Sequence, residues 1–319
     1  MRSSIRAVLP VVVAALLTLS LAACGTATPT PAPAAQQSGA FPVTITHAFG
    51  TTTIPAEPKR VVAIGFNEAD FVLALGEVPV GVRDFIGEYD EATRPWARQA
   101  LAGAQPVVVG GNDVDFEKVA SLKPDLIMGV YSFMDQATYT KLAKIAPTVA
   151  QPSVDGAAAT WQEQTRTTGK ALGRDARAEQ VIADTGKKFT DARAAHPQLA
   201  GRTIAVDLVV DGVPYLLGAD DLRSQVFTGL GIAVPATTAT LSNETQSQLD
   251  KDAIVVIGQT KEQLAGNAVF QGLKAVKAGR VVYTGGYGSE FAGATGFGSP
   301  LSLPTAIDDI APQLAAVLQ

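Results

Sequence analysis

Residues 60–65 have the sequence RVVAIG, a short apolar run without the alternation of polar and apolar residues that marks a strand with one solvated face. Three similar runs follow at residues 78–82 (VPVGV), 106–110 (PVVVG) and 125–130 (DLIMGV). Continuous apolar strands are typical of parallel sheets that are covered by helices on both faces. The four runs therefore predict a parallel sheet at the centre of the first half of the chain.

Helix-compatible segments at residues 68–75, 116–122 and 136–145 alternate with these strands. Such alternation predicts a doubly wound α/β lobe, which we assign to residues 41–160. A second alternating series begins near residue 203 and predicts a second lobe over residues 197–319.

The segment between the lobes, residues 161–196, contains no proline and predicts one long α-helix. Pro197 ends this helix, because proline and the residue before it disfavour the helical conformation. Gly169 and Gly173 weaken the middle of the segment. The predicted fold class is therefore α/β, with two doubly wound lobes joined by one long α-helix.

The N-terminus has the layout of an export signal, with Arg2 and Arg6 before an apolar stretch that ends in small residues. The stretch is shorter than the ~20 residues that a membrane-spanning helix needs. Residues 21–24, LAAC, resemble the bacterial lipobox, in which cleavage leaves a lipid-modified cysteine that anchors the protein to the outer face of the cell membrane. The predicted segments are a signal peptide at residues 1–23 and, over residues 24–40, the lipidated Cys24 with a flexible tether.

Composition excludes several classes of function. The formal net charge is −5, and no cluster of Lys and Arg occurs beyond the pair Lys187 and Lys188, so nucleic acid is not an expected partner. The motifs GxxxxGK[ST], GxGxxG, GxSxG and HExxH are absent, so we expect no enzyme and no cofactor. The two histidines, His47 and His196, cannot form a His-rich metal site, and we expect both on the surface.

Four segments carry a family pattern. Their sequences are IPAEPKRVV at residues 54–62, FEKVASLKPDLI at 116–127, LSNET at 241–245 and KAGRVVY at 277–283. Together, in this order, they resemble the iron-siderophore and vitamin B12 binding proteins of ABC importers, most closely the actinobacterial lipoprotein branch. The resemblance implies a monomer with a bilobal periplasmic-binding-protein-like fold, which captures a ferric siderophore between its lobes and delivers it to the permease.

In this family the ligand lies near the carboxyl ends of strands, where open α/β sheets present their loops. Aromatic side chains suit the apolar periphery of a ferric siderophore, and arginine donors suit the oxygens around its metal. The residues at these positions are the predicted ligand-binding residues: Phe66, Asn67, Arg83, Tyr131, Phe133, Trp161, Tyr215, Arg223, Tyr287 and Phe291.

The same loops contain more acidic than basic residues. Acidic loops repel a strongly anionic complex such as a ferric tricatecholate, so they favour a neutral or cationic hydroxamate-type chelate. The acidic residues concerned are Asp84, Glu88, Asp113, Asp220 and Asp221.

Other interpretations remain open. Haem or cobalamin is the alternative ligand, and Tyr131, Tyr215 or Tyr287 is then a candidate axial ligand of haem iron. From other classes, a surface-anchored α/β enzyme and a signalling or adhesive surface module are compatible with the fold, because fold does not determine function.

The resemblance also implies contacts with the importer. Members of the family present one glutamate from each lobe to the permease, and the matching positions are Glu117 and Glu244. Both residues could equally be ordinary carboxylates at helix N-termini, stabilised by the helix dipole. Because one connecting helix is stiffer than a pair of crossing strands, we expect modest closure on ligand binding.

Overall fold

Two five-stranded sheets organise the chain in the computed structural model, which describes residues 41–84, 94–155 and 159–319. The N-terminal lobe begins with an antiparallel hairpin, β1 and β2, and continues with a parallel sheet in the order β5-β4-β3-β6-β7. The strands are β1 (Val43–His47), β2 (Gly50–Ile54), β3 (Val61–Ala63), β4 (Gly81–Val82), β5 (Val107–Val108), β6 (Leu126–Gly129) and β7 (Thr148–Ala150). The helices of this lobe are α1 (Glu68–Ala74), α2 (Arg98–Leu101), α3 (Phe116–Ser121) and α4 (Gln136–Leu142).

Three of the four strands predicted from apolar runs, β3, β4 and β6, form the centre of this sheet. All residues of β3 and β6 are buried, as expected for strands covered on both faces. By contrast, β5 lies at the edge of the sheet, and its residues Val107 and Val108 are exposed. The parallel sheet predicted for the first lobe is therefore confirmed.

The connecting segment differs from the single helix that the sequence predicts. It consists of two helices, α5 (Trp161–Leu172) and α6 (Asp175–Ala195). Gly173 ends α5 in the left-handed conformation, with φ of 68°, which glycine adopts without the steric cost of a Cβ atom. A Cβ atom on Gly169 would lie 2.5 Å from Cβ of Ala178, so the missing side chain lets the two helices pack closely. Gly173 therefore breaks the segment, where the sequence suggested only that the glycines weaken it.

The C-terminal lobe contains a mixed sheet in the order β10-β9-β8-β11-β12. Its strands are β8 (Ile204–Val210), β9 (Val213–Leu216), β10 (Ala239–Thr240), β11 (Ala253–Gly258) and β12 (Val281–Gly286). Its helices are α7 (Gln225–Gly229), α8 (Lys261–Leu264), α9 (Ala268–Gly272), α10 (Lys274–Lys277), α11 (Glu290–Phe297) and α12 (Ser302–Val317).

Only three strands of the second sheet are parallel, namely β8, β11 and β12. The connection between β8 and β9 is two residues long, Asp211 and Gly212, and both have positive φ. A turn this short joins antiparallel strands, because a parallel pair needs a crossover connection. The second lobe is therefore α/β but not uniformly parallel.

Side chains from both lobes pack together in one buried apolar cluster. Phe71 of α1 belongs to the same buried apolar cluster as Phe227 and Ile310 of the C-terminal lobe. Apolar area removed from water is the main favourable term in such packing, so this shared cluster resists separation of the lobes. None of the described helices has the length and apolar character needed to cross a membrane.

The expectation that both histidines lie on the surface is wrong for His47. Its side chain is buried between Phe49 and Tyr139, with ring centroids at 6.5 and 5.0 Å. The ring Nε2 lies 2.9 Å from Oγ1 of Thr52. Burial lowers the pKa of His47, so the neutral imidazole is the form that this site stabilises.

Candidate functional site

Three segments of the N-terminal lobe converge beyond the carboxyl ends of β3, β4 and β6. Phe66 follows β3, Arg83 follows β4, and Tyr131 follows β6. These strands are neighbours in a parallel sheet, so the segments that leave them lie at the same edge. Backbone hydrogen bonds hold the segments together, since the amide of Phe66 donates to the carbonyl of Tyr131 at 3.0 Å.

The side chains of Phe66, Tyr131 and Phe133 form what we call the aromatic wall. The ring of Phe133 lies 4.7 Å from that of Tyr131 in a T-shaped arrangement and 6.3 Å from that of Phe66. Phe133 is 49% exposed, although large aromatic side chains are usually well buried. Its φ is 51°, a strained value for a bulky residue, and such strain occurs most often at functional sites.

Arg83 supports the aromatic wall from behind. Its guanidinium carbon lies 3.9 Å from the ring centroid of Phe66. The guanidinium group donates to backbone carbonyls of Gly111 at 2.5 Å, Ser132 at 3.3 Å, Ile64 at 3.4 Å and Asn112. Arg83 is buried, so the structure corrects its predicted role: it holds three loops together and has little freedom to donate to a ligand.

Glu68 is a residue of this region that the sequence did not single out. Its carboxyl group is buried and accepts hydrogen bonds from the backbone amide of Tyr131, at 3.0 and 3.2 Å. A Cβ atom on Gly65 would overlap this carboxyl group, so the glycine makes room for it. Burial raises the pKa of Glu68 to about 8, although backbone hydrogen bonds from Tyr131 and Val130 oppose the shift. The only sequence signal was an acidic residue in the first turn of a helix after a buried strand.

The C-terminal lobe contributes Arg223, which is 29% exposed at its side chain. Its Nη1 donates to Asp221 at 2.7 Å. Burial lowers the pKa of Arg223, but Asp221 and the phenols of Tyr131 and Tyr287 raise it by more, so the net shift is upward. Tyr131 belongs to the N-terminal lobe and Arg223 to the C-terminal lobe, and the charge of Arg223 acts on the pKa of the Tyr131 phenol.

The pKa of Tyr131, in the N-terminal lobe, is shifted as well. Burial raises the pKa of its phenol, and Arg223 partly opposes this shift. Tyr287 and Tyr215 are half-buried and pack against the apolar cluster of the C-terminal lobe. The structure thus brings Phe66, Tyr131 and Phe133 of the predicted set together, and Arg223 acts on the pKa of Tyr131 from the other lobe. Tyr215 lies on β9, and Tyr287 follows β12.

Three predicted ligand-binding side chains are buried within the protein, which corrects the prediction for them. Asn67 is fully buried, and its Nδ2 donates to the carbonyl of Phe297 in the other lobe at 3.0 Å. Trp161 is 4% exposed and stacks on Phe189, with ring centroids 6.5 Å apart. Phe291 is 3% exposed and packs against Phe227. Side chains buried in this way have little surface left for a ligand.

Of the acidic loop residues, two already have partners within the C-terminal lobe. Asp220 accepts hydrogen bonds from the amide and hydroxyl of Thr238, at 2.9 and 2.8 Å, and Asp221 pairs with Arg223. Asp84 and Asp113 are exposed. Glu88 lies outside the described residues.

The two predicted docking glutamates are exposed. Glu117 lies in the first turn of α3, where Asp115 caps the helix by accepting from the amide of Lys118 at 3.0 Å. Glu244 lies in a turn between β10 and β11 that Ser242 and Thr245 hold through mutual hydrogen bonds. Glu244 is therefore a loop residue and not part of a regular helix. Cys24, the predicted lipidation site, lies outside the described residues.

The described residues contain no group of three or more His, Cys, Asp or Glu side chains that could hold a metal ion.

Comparison with protein families identifies one match. The family model described as "Periplasmic binding protein" matches residues 61–287. This range begins at β3 and extends through Tyr287, so it includes both sheets and both sides of the candidate site.

Curated relatives are similar over most of their length. The "Probable siderophore-binding lipoprotein YfiY" of Bacillus subtilis is 28% identical over 264 residues, which cover 74% of this chain and 78% of the relative. The "Iron(3+)-hydroxamate-binding protein FhuD" of the same organism is 30% identical over 230 residues, covering 70% of this chain and 68% of the relative.

Among solved structures, a periplasmic solute binding protein from Mycobacterium smegmatis superposes with a TM-score of 0.79. It is 34% identical, and the alignment covers 87% of this chain and 99% of that chain. The bilobal architecture is therefore shared along nearly the whole of the neighbour.

Proposed function

Because the chain belongs to the periplasmic binding-protein family, we propose that it is the extracytoplasmic substrate-binding protein of an ABC importer and that it captures a ferric siderophore. The observation that carries this proposal is the aromatic wall at one sheet edge of the N-terminal lobe, where Phe133 is 49% exposed beside Phe66 and Tyr131. The named curated relatives are binding proteins, and both are named for siderophores or hydroxamates, which supports the same assignment. Lipidation of Cys24 would anchor the protein at the outer face of the membrane, as in the lipoprotein relative.

The chemistry of the site suits a bulky chelate. Phe66, Tyr131 and Phe133 offer apolar ring surface to the carbon periphery of a siderophore, and such rings contribute large contact area with little loss of conformational entropy. Arg223 and Tyr287 offer N–H and O–H donors to the oxygens that surround the iron. Direct coordination of the metal by the protein is unnecessary, because the siderophore supplies the iron ligands.

Charge favours a hydroxamate-type chelate over a tricatecholate. Arg223 is already paired with Asp221, and the guanidinium of Arg83 is turned away to backbone carbonyls. These two arginines therefore offer little uncompensated positive charge to a highly anionic complex. The hydroxamate-binding relative supports the same ligand class.

Haem is the second ligand class to test. A tyrosine binds haem iron as the phenolate, and burial raises the pKa of Tyr131, which disfavours that form. Tyr287 and Tyr215 remain candidates for this role. Cobalamin belongs to the same comparison, because its ring system would also use an aromatic surface.

Calorimetric titration of the purified protein with ferrichrome, a ferric tricatecholate, haemin and cobalamin tests the proposal. We expect saturable binding of ferrichrome at submicromolar concentration and weaker binding of the tricatecholate at physiological salt. Iron-free ferrichrome serves as the matched control and should bind less tightly, because the metal organises the chelate. Saturation by haemin or cobalamin alone would reject siderophore capture, and a tighter tricatecholate complex would reject the hydroxamate assignment.

A further inference from the structure

A cavity of about 380 Å³ lies in the C-terminal lobe. Asp207 of β8 is part of its lining. Side chains alternate across a strand, so Asp207 points to the opposite sheet face from Val206 and Leu208, which belong to the apolar cluster that Tyr215 contacts. None of the ten predicted ligand-binding residues lines this cavity. It is therefore distinct from the proposed siderophore site.

Two buried oxygens at this cavity have no hydrogen-bond partner within the described ranges. They are Oδ1 of Asp207, a residue that is 1% exposed, and Oε1 of Gln246, which is 5% exposed. Both side chains line the cavity. Buried polar atoms are nearly always hydrogen-bonded in native proteins, because leaving one unpaired costs its full desolvation energy. Two such acceptors beside one cavity indicate a missing donor.

The remaining lining defines the chemistry of that donor. Asp207 is the single titratable side chain among the lining residues, and the lining contains no Lys or Arg. Burial raises the pKa of Asp207 to about 6, so at neutral pH the cavity carries a negative charge that nothing in its lining offsets. Apolar side chains of Val209, Leu241 and Leu264 form part of the wall. One carboxylate with carboxamide and apolar neighbours suits an organic cation better than a divalent metal, which prefers several charged oxygen ligands.

The volume of the cavity indicates the size of the group that it can hold. A single water molecule occupies about 30 Å³ in the liquid, so a cavity of 380 Å³ is large enough for an organic group rather than one bridging water. Ser242 and Asn243 belong to the lining and precede Glu244 in sequence, so the cavity adjoins the predicted docking turn.

We propose that this cavity is a second binding site, for an organic cation whose ammonium or guanidinium group donates to Asp207 and Gln246. A free amine in the medium and a Lys or Arg side chain of the docked importer carry the same chemistry. The site does not depend on the identity of the siderophore.

The first arm of the test measures binding to the purified protein. Methylguanidinium and ethylammonium are titrated while amide chemical shifts are followed by NMR. Asp207→Asn keeps the side-chain shape but removes the charge, and Gln246→Met removes the second acceptor. Asp211→Asn is the matched control, because it removes a nearby charge from the exposed β8–β9 turn and asparagine tolerates the positive φ there.

We expect saturable binding with shifts confined to the cavity, weakened about ten-fold or more by Asp207→Asn and also weakened by Gln246→Met. The control should bind as the parent protein does, and saturation with ferrichrome should leave the affinity for the probes unchanged. Absence of saturation by either probe below about 10 mM would overturn the proposal. So would equal binding by the Asp207→Asn variant, since the charge would then be irrelevant.

The second arm distinguishes the two sources of the cation. Cells that carry the Asp207→Asn variant are compared with parent cells for uptake of iron from the siderophore that the protein binds. Reduced uptake with unchanged siderophore affinity assigns the site to a side chain of the importer. Unchanged uptake, with probe binding lost, assigns it to a free cation.

Discussion

The hydroxyl of Ser299 in the C-terminal lobe donates a hydrogen bond of 2.7 Å to the buried carboxylate of Asp70 in the N-terminal lobe. The same carboxylate accepts from Nε of Arg94 at 2.7 Å and from Nε1 of Trp96 at 2.8 Å. Asp70 and Arg94 are almost completely buried, and burying a charge is tolerated only when it is paired and hydrogen-bonded. This network links the lobes beside the shared apolar cluster that contains Phe71.

Breaking the Ser299 contact should loosen the link between the lobes. Ser299→Ala removes a hydrogen bond to a charged group, so we expect a loss of about 1.5–3 kcal/mol in the free energy of unfolding. Urea denaturation measures this loss, and Ser247→Ala, at an exposed position in the same lobe, is the control.

Small-angle scattering of the parent protein should show only modest compaction on binding ferrichrome. Large compaction would contradict the view that this network limits lobe motion.

The aromatic wall should contribute affinity and little stability. Phe133→Ala removes a ring that is 49% exposed, so we expect about ten-fold weaker binding of ferrichrome with a small change in unfolding free energy. Val269→Ala, at a position 42% exposed on α9, is the control for loss of exposed apolar surface. Calorimetry and denaturation of both variants make the comparison. Unchanged affinity in Phe133→Ala would remove the wall from the proposed site.

Substitution of Arg83 should mainly lower stability, whereas substitution of Arg223 should mainly weaken siderophore binding. Arg83→Met leaves several buried carbonyls without a donor, so we expect a loss of at least about 2 kcal/mol in unfolding free energy. Arg223→Met removes a partly exposed ion pair, which contributes about 1 kcal/mol or less to stability, but should weaken siderophore binding about ten-fold. The reverse pattern, with Arg83 governing affinity and Arg223 stability, would contradict the roles assigned from their hydrogen bonds.

The buried carboxyl of Asp207 should make stability depend on pH. Its pKa is raised from 3.8 to about 6 on folding, so the folded protein binds the proton more tightly than the unfolded chain. The protein is therefore stabilised by protonation at low pH and loses this contribution as pH rises through about 6. The loss amounts to about 3 kcal/mol above that pH. Glu68 and His47 also have shifted pKa values, so only a comparison with a variant that lacks the Asp207 carboxyl isolates the effect.

The measurement compares the parent protein with Asp207→Asn by urea denaturation between pH 4 and 8. The advantage of the variant should be small near pH 4 and should grow as pH rises through about 6. Asp211→Asn, which alters an exposed carboxylate, should show no such trend. A constant difference across the pH range would mean that the pKa of Asp207 is not raised in the folded protein.

Glu117 and Glu244 should be needed for delivery of the siderophore to the importer but not for siderophore binding. Glu117→Ala combined with Glu244→Ala should leave ferrichrome affinity unchanged and should greatly reduce uptake into cells, because both side chains lie on the surface outside the aromatic wall. Glu179→Ala, at an exposed ion pair with Arg166 on the connecting helices, is the control. Full uptake by the double variant would show that these positions are ordinary surface carboxylates.

Local patterns were sufficient for the first lobe and for part of the site. The apolar run at residues 60–65 predicted a buried strand because continuous hydrophobicity is a property of neighbouring residues. The same logic placed Phe66, Tyr131 and Phe133 at one sheet edge, since they follow strands that end there. The antiparallel β8–β9 pair was missed although its signal is present, since Asp211-Gly212 is a dipeptide typical of two-residue hairpin turns with positive φ at both positions.

The sequence by itself determined the α/β class and the alternation of buried strands with helices in the first lobe, because periodicity acts within a few residues. Only the tertiary structure decided which of the predicted site residues are accessible. Phe133 and Phe291 are the same residue type in predicted loops, yet one is half exposed and the other is enclosed by its own lobe. Burial depends on contacts between residues far apart in sequence, as in the pairing of Asp70 with Ser299, and no local pattern encodes such contacts.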